Sequence, residues 1–290
     1  MTSGGWSVAA TREFDYRPGF RPRGLMPGAH KGLSGGAGHE LRDRVSLLEH
    51  PDPRRLALRS SVQDPFKQLH VHIFNQHSRI PVYVVLDLSA SMGCPGLERK
   101  WQLTMDFVEA LAFSVWRSGD QFGLVPASES APSALALHPT RGESLVNECI
   151  ATLREHVPMD TREPDLAAAA AALPPTPGMV FLVSDFHLSA YPLDSALADL
   201  TSMHDVVPVV VWDPAEALPQ RRGGFLLMRD AETGIERHVW LRAGLRKKLE
   251  RAAAERRQAL LGAFRGHGLE PLFLGDGVEP DRINAYFAER

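Results

Sequence analysis

Val82-Tyr83-Val84-Val85-Leu86-Asp87-Leu88-Ser89-Ala90-Ser91-Met92-Gly93 is the stretch on which the fold turns. Its first five residues form an unbroken β-branched and aromatic run. Such a run suits a strand buried on both faces of a parallel sheet. The run stops at a carboxylate, and two hydroxyls follow at two-residue spacing. In an open α/β sheet, ligands gather outside the carboxyl ends of the strands. Asp87, Ser89 and Ser91 converge on one point if the loop curls around it. Oxygen donors carrying one negative charge suit a hard cation such as Mg²⁺. The plainer alternative is that these residues cap the helix that follows. Capping accounts for one Asp or Ser; it does not account for the D-x-S-x-S alternation together with a second aspartate at a strand end.

That second aspartate appears downstream. Met179–Val183 reads as another doubly buried strand, and it runs into Ser184-Asp185-Phe186. Asp185 reaches the same edge if the two strands are neighbours. Between them the pattern alternates. A helix is expected from about Leu97 to Arg117, with Leu103, Phe107, Ala110, Leu111 and Val115 at helical spacing. Strands are expected at Gln121–Ala127 and Ser133–His138, and helices at Glu143–Glu155 and Asp165–Leu173. Further on come a helix at Leu193–Met203, a strand at Val206–Trp212, a helix at Ala243–Phe264, a strand at Pro271–Leu274 and a helix at Pro280–Ala288. Phe225–Met228 and Glu236–Leu241 flank Asp230-Ala231-Glu232-Thr233-Gly234, a turn whose Gly234 supplies positive φ for a hairpin. The expected fold is therefore α/β, a doubly wound, mostly parallel sheet of about six strands spanning 78–290, with a hairpin inserted at about 218–242.

Residues 1–77 read as a separate, irregular segment. Glycines and prolines crowd the first forty positions, which is loop chemistry. No G-x-x-x-x-G-K is present, so this is not a P-loop. Residues 66–77 alternate as a half-buried strand. His70 and His72 share one face, but no third ligand lies nearby, and both read as plain strand residues rather than metal ligands. The first 80 residues hold 12 Lys and Arg against 7 Asp and Glu, a solvated basic arm or a docking surface for an acidic partner.

Bulk properties narrow the function. A net charge of −3 argues against a general nucleic-acid binder. Cys94 and Cys149 form no C-x-x-C pair and fit a reducing compartment. Met1–Ala10 lacks the basic start and apolar core of a signal peptide, and the longest apolar runs are far below the ~20 residues that span a bilayer. A cytoplasmic protein without membrane insertion is expected.

Asp87-Leu88-Ser89-Ala90-Ser91 resembles the metal-ion-dependent adhesion site of von Willebrand factor A domains, and Asp185 matches the family's second aspartate. Thr161 is the residue nearest the family's threonine, whose own slot falls on Pro164. The resemblance implies a Rossmann-type fold and a magnesium site formed by Asp87, Ser89, Ser91, Asp185 and Thr161. His50-Pro51-Asp52-Pro53-Arg54-Arg55-Leu56, Val183-Ser184-Asp185-Phe186, His204-Asp205-Val206-Val207-Pro208 and Asp230-Ala231-Glu232-Thr233-Gly234 look like a bacterial family of unknown function that pairs such a domain with MoxR-type AAA+ ATPases. Pro27-Gly28-Ala29-His30 and Asp64-Pro65-Phe66 look like its MxaS-type branch, found with methanol oxidation. The implied function is a non-enzymatic, metal-dependent interaction module. It would work with a MoxR-type AAA+ ATPase in assembling or activating a client protein complex.

Two other readings compete. One is a structural scaffold with a vestigial metal site. The other is a serine hydrolase using Ser89 or Ser91, with His187 as base and Asp185 as orienter. The G-x-S-x-G elbow is absent, and Asp185 and His187 stand only two residues apart, awkward for a relay.

Overall fold

Six strands pair into one sheet, and all of them follow residue 80. They are β3 (Pro81–Leu86), β4 (Gln121–Pro126), β5 (Leu137–Thr140), β6 (Met179–Ser184), β7 (Asp205–Val211) and β10 (Leu272–Leu274). The spatial order is β10-β7-β6-β3-β4-β5. All pairs are parallel except β4–β5, which is antiparallel. The computed structural model describes residues 12–20, 27–49, 51–93, 98–128, 130–158, 160, 163–187, 190–212, 224–229, 236–275 and 277–290. The α/β class expected from the strand runs is what the chain adopts, with β3 inside the sheet between β4 and β6.

The helices follow from the same patterning. They are α2 (Glu98–Ser118), α3 (Glu143–Glu155), α4 (Leu166–Ala172), α5 (Ala190–Met203), α6 (Ala243–Gly266) and α7 (Pro280–Glu289). Strand side chains alternate between the two faces of the sheet, and β6 shows how both are covered. Phe181 meets Phe107 of α2 at 6.0 Å and Phe287 of α7 at 6.2 Å between ring centroids. Val180 and Leu182 turn the other way. They join a cluster with Leu166 and Ala169 of α4, Leu193, Leu197 and Leu200 of α5, and Leu260 and Phe264 of α6. Asp165 caps α4 by accepting the Ala168 N–H at 2.9 Å.

Both edges of this sheet are short. β5 has four residues, one of them Pro139, and β10 has three. Ser133–Leu135, expected as part of a strand, is instead a single 3-10 turn that follows Pro132, and β5 starts only at Leu137. The Leu135 and Ala136 N–H groups donate back to the Pro132 and Ser133 carbonyls at 2.9 and 3.1 Å, so these residues close a turn instead of joining a ladder.

Residues 12–17 belong to the same compact unit as the sheet. The Phe14 N–H donates to Ser114 Oγ at 3.0 Å, and its ring stacks on Phe107 at 5.9 Å. The hairpin is present as β8 (Gly224–Arg229) paired antiparallel with β9 (Glu236–Leu241), Gly224 opposite Leu241 and Arg229 opposite Glu236. Its turn residues, Gly234 included, lie outside the described residues.

A second compact unit comprises Pro18–Ile80 with Ser118–Asp120. The glycine-rich stretch is not all loop: Pro27–Ser46 forms β1, antiparallel to β2 (His70–Ser78). Four register breaks along β1 accommodate a segment with no apolar alternation to fix its pairing. A helix α1 (Leu58–Gln63) precedes β2. Ala57 N–H donates to the His70 carbonyl at 2.7 Å. The His70 N–H in turn donates to Ser61 Oγ at 2.8 Å, and its ring lies 3.5 Å from Asp64.

Candidate metal centre

The site lies where the chain changes direction across the sheet. From β3 the chain moves to β4 on one side and later returns to β6 on the other, so a crevice forms outside the carboxyl ends of β3 and β6. Leu86 is opposite Val183, and Asp87 N–H donates to the Val183 carbonyl at 3.0 Å. Asp87 and Ser184 are thus placed side by side by the register of two buried strands.

Backbone bonds make the loop curl. Met92 N–H donates to the Ser89 carbonyl at 3.0 Å and Gly93 N–H to the Ala90 carbonyl at 3.2 Å. Leu88 and Met92 are buried and anchor the loop, while the intervening polar residues gather together. Asp87 Oδ1 accepts the Ser89 N–H at 2.8 Å, and Oδ2 accepts the Ser184 hydroxyl at 2.6 Å. Ser89 Oγ and Ser91 Oγ stand 3.0 Å apart. Gly93 closes the loop against Pro158; a Cβ there would lie 2.6 Å from the Pro158 carbonyl oxygen, so a side chain would push the loop outward.

Asp185 arrives from β6 on a strained turn. Phe186, next in sequence, has φ of 54°, the left-handed region that costs a non-glycine residue roughly 1–2 kcal/mol. Two interactions offset this cost. Phe186 N–H donates to Ser184 Oγ at 2.7 Å, and its buried ring meets Phe264 edge-on at 5.0 Å. The turn lets Asp185 Oδ1 accept the His187 N–H at 2.9 Å.

Three residues that the spacing of the sequence does not single out also build the site. Lys100, 1% exposed, donates to Asp185 Oδ2 at 2.7 Å and to the Ser91 carbonyl at 3.1 Å. Arg256 of α6 donates to the Asp185 carbonyl at 2.9 Å and to His187 Nε2. A signal for Lys100 was present, because it extends the buried stripe of Phe107 and Leu111 by helical spacing toward the amino end of α2. Asp160 is a third. Its carbonyl accepts the Ala90 N–H at 2.7 Å, and its Oδ2 accepts the hydroxyls of Ser128 and Ser130 at 2.5 and 2.7 Å.

The structure therefore brings Asp87, Ser89, Ser91 and Asp185 to one crevice. Thr161 lies outside the described residues. His187 engages Arg256 through Nε2, while Ser89 and Ser91 pair with each other. The donor set fits a small hard cation. Adjacent ligand oxygens of an octahedral Mg²⁺, with bonds of about 2.0–2.1 Å, are ~2.9 Å apart, close to the Ser89–Ser91 separation.

The two carboxylates differ in acidity. Burial, and then the neighbouring Asp185, push the Asp87 carboxyl up to about 6, against hydrogen bonds from Ser184 and Ser89. Burial also raises Asp185, but the Lys100 ammonium, His187 and their hydrogen bonds outweigh it and hold it below the usual range. An aspartate raised in the folded state binds protons more tightly there than in the unfolded chain. Its contribution to stability is full below pH ~4 and is lost as pH rises through about 6. Asp185 acts in the opposite sense, losing its contribution only as pH falls through its lowered value. Urea unfolding in EDTA is expected to show a loss of about 2 kcal/mol from Asp87 between pH 4 and 7.5, read as the difference between wild type and Asp87→Asn. A difference that does not vary with pH would contradict this.

A family model described as "Protein of unknown function DUF58" matches residues 62–259. The uncharacterized protein Rv1480 of Mycobacterium tuberculosis is 28% identical over 276 residues, covering 92% of this chain and 84% of the relative. Among solved structures, an aerotolerance-related membrane protein from Bacteroides fragilis matches 73% of this chain and 100% of its own, with 17% identity and a TM-score of 0.43. Proximal thread matrix protein 1 from the mussel byssus matches 46% of this chain with 19% identity and a TM-score of 0.36. The match spans 37% of the mussel protein's length. Among the described residues, no helix is long and apolar enough to cross a membrane.

Proposed function

This chain belongs to the DUF58 family of proteins of unknown function, and we propose that it is a non-enzymatic, cytoplasmic interaction module that docks a partner through a divalent cation, Mg²⁺ by its donor chemistry. The observation that carries this reading is the pair of serine hydroxyls 3.0 Å apart beside Asp87, at the crevice between β3 and β6. Asp87, Ser89 and Ser91 would hold the ion, and Asp185 would stand behind it. When bound, the ion supplies positive charge with a coordination position for a partner's carboxylate. The chain's own residues do the positioning: Ser184 fixes the Asp87 carboxylate, and the packed turn at Phe186 fixes Asp185. The resemblance to chains paired with MoxR-type ATPases supports a partner of that class, an AAA+ ATPase acting on a client protein complex.

The test is capture of a purified MoxR-type ATPase by the full chain, with Mg²⁺ or EDTA and with Asp87→Ala. Capture that needs Mg²⁺ and falls at least tenfold in the variant is the expected result. Capture indifferent to both would remove the metal bridge. A second reading, a scaffold that works without metal, is favoured by one observation, the Lys100–Asp185 pair inside the site.

A further inference from the structure

Lys100 is a buried charge for which the metal reading has no use. Its side chain reaches both halves of the site, Asp185 Oδ2 at 2.7 Å and the Ser91 carbonyl at 3.1 Å. A lysine withdrawn from water this completely is strongly disfavoured unless it is paired and hydrogen-bonded. Its position is built by the helix: Thr104 Oγ1 donates to the Lys100 carbonyl at 2.9 Å, and Phe107 and Leu111 continue the same buried stripe.

We propose that Lys100 is an internal counter-cation that competes with the divalent ion for Asp185. The inference rests on the metal reading given above. Two buried carboxylates with no cation would repel each other across the crevice. With Lys100 present, the cluster of Asp87, Asp185 and Lys100 carries one net negative charge rather than two. The ammonium also ties the Ser91 end of the loop to the end of β6, so the site stays assembled without an ion. The same arrangement lowers affinity for a divalent cation, which meets a carboxylate already neutralised. A weakly held ion is then retained best when a partner adds its own carboxylate, and ion uptake and docking become one event.

Mn²⁺ is the probe, titrated into the full-length wild type, Lys100→Met and the double variant Lys100→Met/Asp185→Asn by calorimetry and electron paramagnetic resonance. Lys100→Met is expected to bind Mn²⁺ at least tenfold more tightly than wild type, and Mn²⁺ should raise its melting temperature more. The double variant should lose that gain, because the contested carboxylate is gone. Equal Mn²⁺ affinity in wild type and Lys100→Met overturns the proposal and leaves the metal site standing. Binding by neither protein overturns both. If Lys100→Met fails to fold in EDTA, refolding by Mn²⁺ supports competition for one position, and failure to refold overturns it.

Discussion

Asp87→Asn is expected to make the metal-free protein more stable at pH 7.5, by about 1–2 kcal/mol, while removing divalent-cation binding. The two effects have one origin. Asp87 is 1% exposed, and burial beside Asp185 raises its carboxyl to about 6, so ionisation at neutral pH costs folding free energy. Asparagine keeps an oxygen for the Ser89 N–H, and its amide donates to Ser184 Oγ in place of accepting from it, so the loop loses a charge and one hydrogen bond reverses direction. An ion of double positive charge loses the donor with the clearest negative charge. Asp87→Ala is a poorer probe of this balance, because it also takes away the acceptor of the Ser89 N–H and leaves no polar group facing Ser184. Thermal and urea unfolding in EDTA, with Mn²⁺ titration alongside, check the pair of effects. A less stable asparagine variant, or one that binds Mn²⁺ as wild type does, would contradict the electrostatics of the site.

Phe264→Ala carries the largest expected loss of stability, about 3–5 kcal/mol by the usual cost of emptying a buried aromatic position. Phe264 is fully buried in the cluster beneath β6 and β7 and packs edge-on against Phe186. Its removal does more than open a cavity. The left-handed turn at Phe186 is held by that packing and by the Ser184 bond, and losing one support loosens Asp185. Cation binding should therefore weaken along with stability, although Phe264 is no ligand. Denaturant midpoints give the first quantity and Mn²⁺ affinity the second. A loss below about 1 kcal/mol would contradict the packing expected of Phe264, and unchanged Mn²⁺ affinity would mean that the turn is held by other contacts.

How much of this was readable in advance depended on what each residue shows in one dimension. Val82–Leu86 and Met179–Val183 announce themselves, because short apolar runs rich in β-branched and aromatic residues suit a strand covered on both faces. The alternation of Asp87, Ser89 and Ser91 at the end of such a run is equally plain. Lys100 is not, since a lysine near the start of a helix ordinarily projects into water, and only its phase with Phe107 and Leu111 hints otherwise. Ser184 and Asp160 act through register and loop closure, which no local spacing displays. β1 stayed hidden because its glycines erase the period-two signal, and β5 starts late because the Leu135 and Ala136 N–H groups are spent on the turn before it.

The short edges of the main sheet bear on how anything can attach to it. A chain seeking to extend a sheet needs a free edge of several residues, with backbone donors and acceptors in line. Here one outer strand offers four residues interrupted by Pro139 and the other offers three. Among the described residues, both flanks of this sheet thus disfavour recruitment by strand addition and the edge-to-edge stacking that begins aggregation. At the carboxyl ends of β3 and β6, by contrast, the chain presents Asp87 and Asp185 together, and there side-chain identity rather than backbone complementarity decides what stays.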